Sequence, residues 1–232
     1  MSQVTNIVIT DSNWKSLYKI GGMATLIMLA LIPVQIIIFI VYPPPNTVND
    51  FFLLFQKNWL IGLLSLDFLY IVNNILLSLI YLTLYISLKR VNESFMVIAL
   101  VLGLIGIVAY FPSNTAFEML NLSNQYAAAT TDVDRTIIQA AGQAMLAIYS
   151  GTTFNVYYVL NAIALLIIAI VMLQSDIFSR PAAFWGIAAG VLMVIPSTAG
   201  TIGIAFALAS LIPWSVFCVL ITKRFFQLGR SM

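Results

Sequence analysis

Residues 59–88 read WLIGLLSLDFLYIVNNILLSLIYLTLYISL, thirty positions in which Asp67 is the only formally charged side chain. As a helix rising 1.5 Å per residue this run is about 45 Å long, more than the about 30 Å of hydrocarbon in a bilayer. Outward from it the same character persists: 62% of the 232 residues are apolar, 8% are charged and the mean hydropathy is +1.03. A soluble domain carries about 25% charge. The solvent for most of this chain must therefore be lipid, where long apolar runs satisfy their backbone as helices.

Five further apolar runs flank the first. They cover about residues 20–42, 95–120, 153–173, 182–195 and 202–221. Pro43-Pro44-Pro45 closes the first run, Pro112 predicts a kink in the next, and Pro213 an interruption in the last. The run at 182–195 is short and stops at Pro196. The expected fold class is all-α: a polytopic membrane protein, a bundle of six transmembrane helices forming one integral membrane domain over residues 1–232.

Orientation follows from the Lys and Arg residues, which are retained on the cytoplasmic side. Lys15, Lys19, Lys89, Arg90, Arg180, Lys223, Arg224 and Arg230 flank alternate ends of the runs, leaving only Lys57 and Arg135 on the other side. Six spans with cytoplasmic N- and C-termini are the count and orientation that give this bias. The N-terminus is read as an uncleaved signal anchor, because a polar lead precedes Lys15 and the apolar run behind it exceeds a signal peptide's. A Phe-rich segment at 51–55 is expected at the interface. Between the third and fourth spans, Thr131 followed by Asp132 and Asp134 reads as a helix start, predicting an amphipathic helix over 131–149 on the outer surface.

Two absences narrow the chemistry. The chain has no histidine and one cysteine, Cys218. Histidine-ligated metal or haem, Ser-His-Asp triads, intrachain disulfides and CxxC pairs are all excluded. No cofactor and no metal site are expected, and a net charge of +2 gives no reason to expect nucleic acid as a partner.

The informative residues are those expensive to hold in lipid. Asp67, Tyr70, Asn74, Ser78, Tyr81 and Tyr85 recur at spacings of three and four, which places them on one face of a continuous helix. Asn73 points about 100° away from Asn74, so Asn74 is taken as the partner of Asp67. Counting helical rise brings Gln35, Tyr110, Tyr158, Asn161 and Ser210 to the depth of Asp67 within about one turn, in the outer half of the membrane. Asn114, Glu118 and Asn121 continue this layer toward its outer mouth. No Lys or Arg falls inside any run, so an ionised Asp67 has no basic partner at its depth. Three resolutions are open: a proton on Asp67, a hydrated vestibule, or a bound cation or amine. The candidate ligand-binding set is Asp67, Tyr70, Asn74, Gln35, Tyr110, Asn114, Glu118, Tyr158 and Asn161. The competing explanation is that the same groups only join helices through interhelical hydrogen bonds.

Small residues mark close helix contacts. Ala182, Gly186 and Gly190 form one stripe, and Ala199, Gly203 and Ala207 another, so the last two spans are expected to pack as a hairpin, with Gly190 less tolerant of a large side chain than Gly106. These stripes are compatible with a homo-oligomer but do not indicate one.

Three segments carry a resemblance: Trp14-Lys-Ser-Leu-Tyr-Lys-Ile-Gly-Gly22, Asn114-Thr-Ala-Phe-Glu118-Met-Leu, and Pro196-Ser-Thr-Ala-Gly200. With the overall pattern, the chain resembles a group of uncharacterised six-span bacterial integral membrane proteins, a domain of unknown function. The resemblance implies a bacterial cell membrane location and no activity. From the residues themselves, the leading expectation is a membrane protein that binds or transports a small molecule or ion, with membrane lipids and that ligand as its partners. An accessory or sensory subunit and a carboxylate-based membrane enzyme are the competing classes.

Overall fold

A computed structural model describes residues 14–230; the polar lead over residues 1–13, expected as an uncleaved tail, lies outside the described residues. Within them the regular structure is helical: α1 (Lys15–Val41), α2 (Val48–Lys57), α3 (Trp59–Ser65), α4 (Phe68–Leu88), α5 (Glu93–Tyr110), α6 (Ala116–Ala128), α7 (Asp132–Tyr149), α8 (Thr152–Leu173), α9 (Arg180–Leu192) and α10 (Gly200–Arg230). Five stretches are long and apolar enough to cross a membrane: α1, α4, the α5–α6 stretch, the α7–α8 stretch and α10. With 13 residues, α9 rises only about 20 Å, short of the hydrocarbon thickness.

Local signals set most of the boundaries. Before the proline triplet, α1 ends at Val41, and at Pro112 the chain makes a single turn of 3-10 helix, Phe111–Ser113, before restarting as α6. The Thr131 hydroxyl accepts the Asp134 N–H at 3.1 Å and so caps the start of α7. The interruption expected at Pro213 does not occur. Helix α10 runs through it, as α1 runs through Pro33; each proline removes one backbone donor without ending the helix.

Six helices form a closed ring in which each touches the next, in the order α1, α4, α5, α8, α9, α10 and back to α1. Ile80, Leu84, Met96, Leu165, Phe217 and Phe225 are among the side chains that fill its interior. The most extensive packing in the ring is between α5 and α8. A Cβ at Gly106 would lie 2.5 Å from Asn161 Nδ2 and 3.2 Å from the Tyr157 carbonyl oxygen, while one at Gly103 would lie 2.5 Å from the Tyr81 ring. On α9, Gly186 faces Ala169 and Phe217, and Gly190 faces Leu166. The α9 stripe thus packs on α8 as well as on α10, a wider use of small residues than a two-helix hairpin.

The remaining helices α2, α3, α6 and α7 gather at one end of the ring as a cap with its own apolar core. Phe51, Phe52 and Phe55 of α2 are buried there with Leu63, Ala116 and Met119. The Phe-rich segment therefore anchors the cap. At the opposite end, Lys89 lies over the Trp14 ring at 5.7 Å, joining the end of α4 to the start of α1, and Arg224 donates to the Ile177 carbonyl, joining α10 to the connection between α8 and α9.

Candidate functional site

The thirty-residue run 59–88 is two helices, not one. Between α3 and α4, Asp67 adopts the left-handed conformation with φ 56°, the one non-glycine residue among those described with positive φ. A β-branched or bulky residue would be strained there, whereas Asp tolerates it. A helix break at membrane depth frees backbone carbonyls, and each one needs a donor. Three side chains distant in sequence provide them: Gln35 of α1, Tyr110 at the end of α5 and Asn114 in the connection before α6. Gln35 Nε2 donates to Leu64 O at 3.3 Å, Asn114 Nδ2 to Leu66 O at 3.0 Å and to Asp67 O at 3.2 Å, and the Tyr110 hydroxyl to Asp67 O at 3.1 Å. The break is thus built by tertiary donors.

The Asp67 carboxylate is held from the cap, where the Tyr149 hydroxyl at the end of α7 donates to its Oδ2. Asp67 also stands in the wall of a cavity of about 230 Å³ between α1, α4, α8 and α10. Gln35, Tyr70, Asn73, Tyr158 and Ser197 supply the other polar groups of that wall, and Leu31, Ile32, Phe39, Phe154 and Leu211 much of its apolar part. No Lys or Arg lines it. Gln35 is buried, and because its amide nitrogen is committed to Leu64 O, its Oε1 remains an acceptor without a donor. A smaller cavity of about 80 Å³ shares Ile32, Tyr70, Asn73, Tyr158 and Leu211 with the first and continues past Tyr81, Asn161, Ser210 and Trp214.

The sequence-derived candidates therefore separate by role. Gln35, Asp67, Tyr70 and Tyr158 meet around one cavity. Tyr110 and Asn114 shape it indirectly by holding the carbonyls of the break. Asn161 lines the smaller cavity and joins helices, accepting the Tyr81 hydroxyl at 2.8 Å and donating to Tyr157 O at 2.8 Å. Asn74 is fully buried and lines neither cavity; its neighbour Asn73 lines both. The reason is the break, which resets the helical phase at Phe68. Glu118 is exposed on α6 in the cap, away from the cavity wall.

Sequence reasoning missed Tyr149 and Tyr157, set Asn73 aside in favour of Asn74, and named Ser197 only as part of the Pro196–Gly200 segment. Tyr149 had a visible signal, as the terminal aromatic residue of the amphipathic helix. Ser197 follows Pro196 in a loop that is pinned to α8, where the Thr198 hydroxyl donates to Asn155 Oδ1. Tyr157 belongs to an aromatic cluster in which its ring centroid lies 5.1 Å from that of Tyr110.

Chemically, the arrangement presents acceptors and aromatic faces. A carboxylate, an amide oxygen and the rings of Tyr70, Phe154 and Tyr158 surround one space with no cationic side chain. Among the described residues no three His, Cys, Asp or Glu side chains gather in a group able to hold a metal ion. The chain matches no curated protein and no solved structure. A family model does match, over residues 22–223, which takes in α2 through α9 whole and all but the ends of α1 and α10: the chain belongs to the family of the domain of unknown function DUF4386.

Proposed function

We propose that this multi-pass membrane protein has six spans, with α9 as a short crossing and both termini in the cytoplasm of a bacterial cell, and that it binds a small molecule or ion in the outer half of the membrane and moves it through that layer. The orientation is supported by the basic residues: Lys57 and Arg135 belong to the cap, the other eight to segments flanking the opposite ends of the ring helices. The observation that carries the ligand reading is the cavity that holds Asp67 in a wall without any basic residue. A carboxylate in such surroundings needs a proton, water or a cationic ligand, and a cation that binds only the native state stabilises it by RT ln(1 + [L]/Kd).

The test is thermal unfolding of the full chain in lipid nanodiscs, wild type against Asp67→Asn, with a panel of inorganic cations and small amines between about pH 5 and 9. A response confined to wild type supports the reading. Identical responses of the two proteins across the whole panel reduce Asp67 to a structural joint and overturn it.

A further inference from the structure

Resting on that reading, we infer that the ligand is an amphiphilic amine whose N–H-bearing ammonium head sits beside Asp67 and Gln35 and whose apolar chain enters sideways from the lipid between α1 and α10. Charge decides the head. The wall offers the Asp67 carboxylate and no Lys or Arg, so an anionic ligand would meet only repulsion. Hydrogen-bonding capacity sharpens this, because Gln35 Oε1 is a buried acceptor without a donor, and leaving it unpaired is unfavourable. An ammonium carrying N–H groups satisfies both acceptors, whereas a quaternary ammonium has no proton to give Gln35. The rings of Tyr70, Phe154 and Tyr158 in the same wall suit a cation with organic substituents. A bare metal ion would instead require several more oxygen ligands.

The route follows from the walls. Helices α1 and α10 pack closely at the basic end, where Gly22 lies against Phe226 and Gly229 against Lys19. Toward the cap they bound the cavity, and its wall residues Ile36 and Leu208 also lie on the outer surface of the bundle, 39% and 60% exposed. The side chains around this opening, Ile36, Phe39, Leu208 and Leu211, are apolar, as befits a mouth facing acyl chains rather than water. Size agrees. A cavity of about 230 Å³ is smaller than the ~300–1,000 Å³ of pockets that engulf drug-sized ligands, so it holds a head and leaves a longer chain lying in the opening.

The experiment uses the full chain in nanodiscs and four probes: dodecylamine, butylamine, dodecyltrimethylammonium and dodecanol. Dodecylamine at about a hundredfold excess over its Kd should raise the wild-type Tm by about 5–10 °C, with butylamine effective only at higher concentration. Dodecyltrimethylammonium and dodecanol should give less than half that shift, and Asp67→Asn should abolish the dodecylamine response. Leu208→Trp, which fills the opening from the lipid side, should weaken dodecylamine at least tenfold and leave butylamine unchanged. If both amines stabilise and Leu208→Trp affects neither or both alike, entry is from water and the lateral route is wrong. If dodecanol or the quaternary probe matches dodecylamine, the ammonium assignment is wrong. If no amine acts but an inorganic cation stabilises wild type and not Asp67→Asn, the amine inference fails while the ligand-binding reading stands; if neither class acts, both fail.

Discussion

The hydroxyl of Tyr149 donates to the carboxylate of Asp67, so the last residue of cap helix α7 is tied to the point where α3 ends and α4 begins. The Gln35 amide of α1, which donates to Leu64 O of α3, is a second polar tie between ring and cap. Removing the Tyr149 hydroxyl with Tyr149→Phe keeps the ring and its packing. It should destabilise the protein by about 1–3 kcal/mol, the range for a hydrogen bond to a charged or buried polar group. Thermal unfolding in detergent measures it, and a change below about 0.3 kcal/mol would show that the bond is not made in the folded protein.

The carbonyls of the break give a second expectation. Asn114 Nδ2 serves both Leu66 O and Asp67 O, and among the described residues no other side-chain donor reaches Leu66 O. Asn114→Leu should cost about 1–3 kcal/mol by leaving Leu66 O without its donor, Asp67 O keeping the Tyr110 hydroxyl and the Tyr70 N–H, while Glu118→Gln, four residues along on the exposed face of α6, should stay within about 0.5 kcal/mol. Equal effects would mean that the break does not depend on Asn114.

Backbone conformation separates two variants at Asp67. With φ at 56°, the position admits Asn nearly as well as Asp, whereas Ala has no polar side chain to favour the left-handed region. Asp67→Asn also retains an oxygen that accepts from Tyr149. It should unfold within about 1 kcal/mol of wild type, and Asp67→Ala should be less stable than Asp67→Asn by about 1–2 kcal/mol. Comparable stability of the two variants would argue that the chain is continuous helix through Asp67.

The contacts around the two glycines predict an order of sensitivity opposite to the sequence expectation. At Gly190 an added Cβ meets the movable tip of Leu166 at 2.8 Å, but at Gly106 it meets Asn161 Nδ2 at 2.5 Å and the fixed carbonyl of Tyr157 at 3.2 Å. Gly106→Ala must push α5 from α8 or break the Asn161 bond to Tyr157 O, which overpacking places at about 1–3 kcal/mol. Gly190→Ala should cost less. Denaturation of both variants in the same detergent decides the order.

What local patterning encodes was legible beforehand. The proline triplet stops α1, Thr131 starts α7, and Pro112 divides α5 from α6, because each signal acts within a few residues of itself. The break at Asp67 was not legible, since Leu66-Asp67-Phe68 contains neither Gly nor Pro. Its stability comes from Gln35, Tyr110 and Asn114, residues 29 to 48 positions away from the carbonyls they serve, and no window of sequence contains them together. The same break bears on two of the counts: the depth count grouped Gln35, Asp67 and Tyr158, which line one cavity, while the angular count chose Asn74, where Asn73 lines it. Depth survives an interruption in a helix, but phase does not.

Orientation gives the last expectation. Asp132, in the first turn of α7, is exposed on the cap, and Glu93, in the first turn of α5, is exposed beside Lys89 and Arg90, which follow α4. Cys218 is fully buried among the core side chains and can be replaced by Ala to give a background without thiols. In intact cells, an impermeant maleimide added outside should then label Asp132→Cys and spare Glu93→Cys until the membrane is opened. This pattern follows if the eight basic residues flanking the far ends of the ring helices are retained in the cytoplasm while Lys57 and Arg135 cross with the cap. Both substitutions are on exposed helix starts, so neither should disturb packing. Labelling of Glu93→Cys alone would invert the protein, and labelling of both positions from outside would mean that the number of crossings between them is even, incompatible with α5 and α6 forming one span.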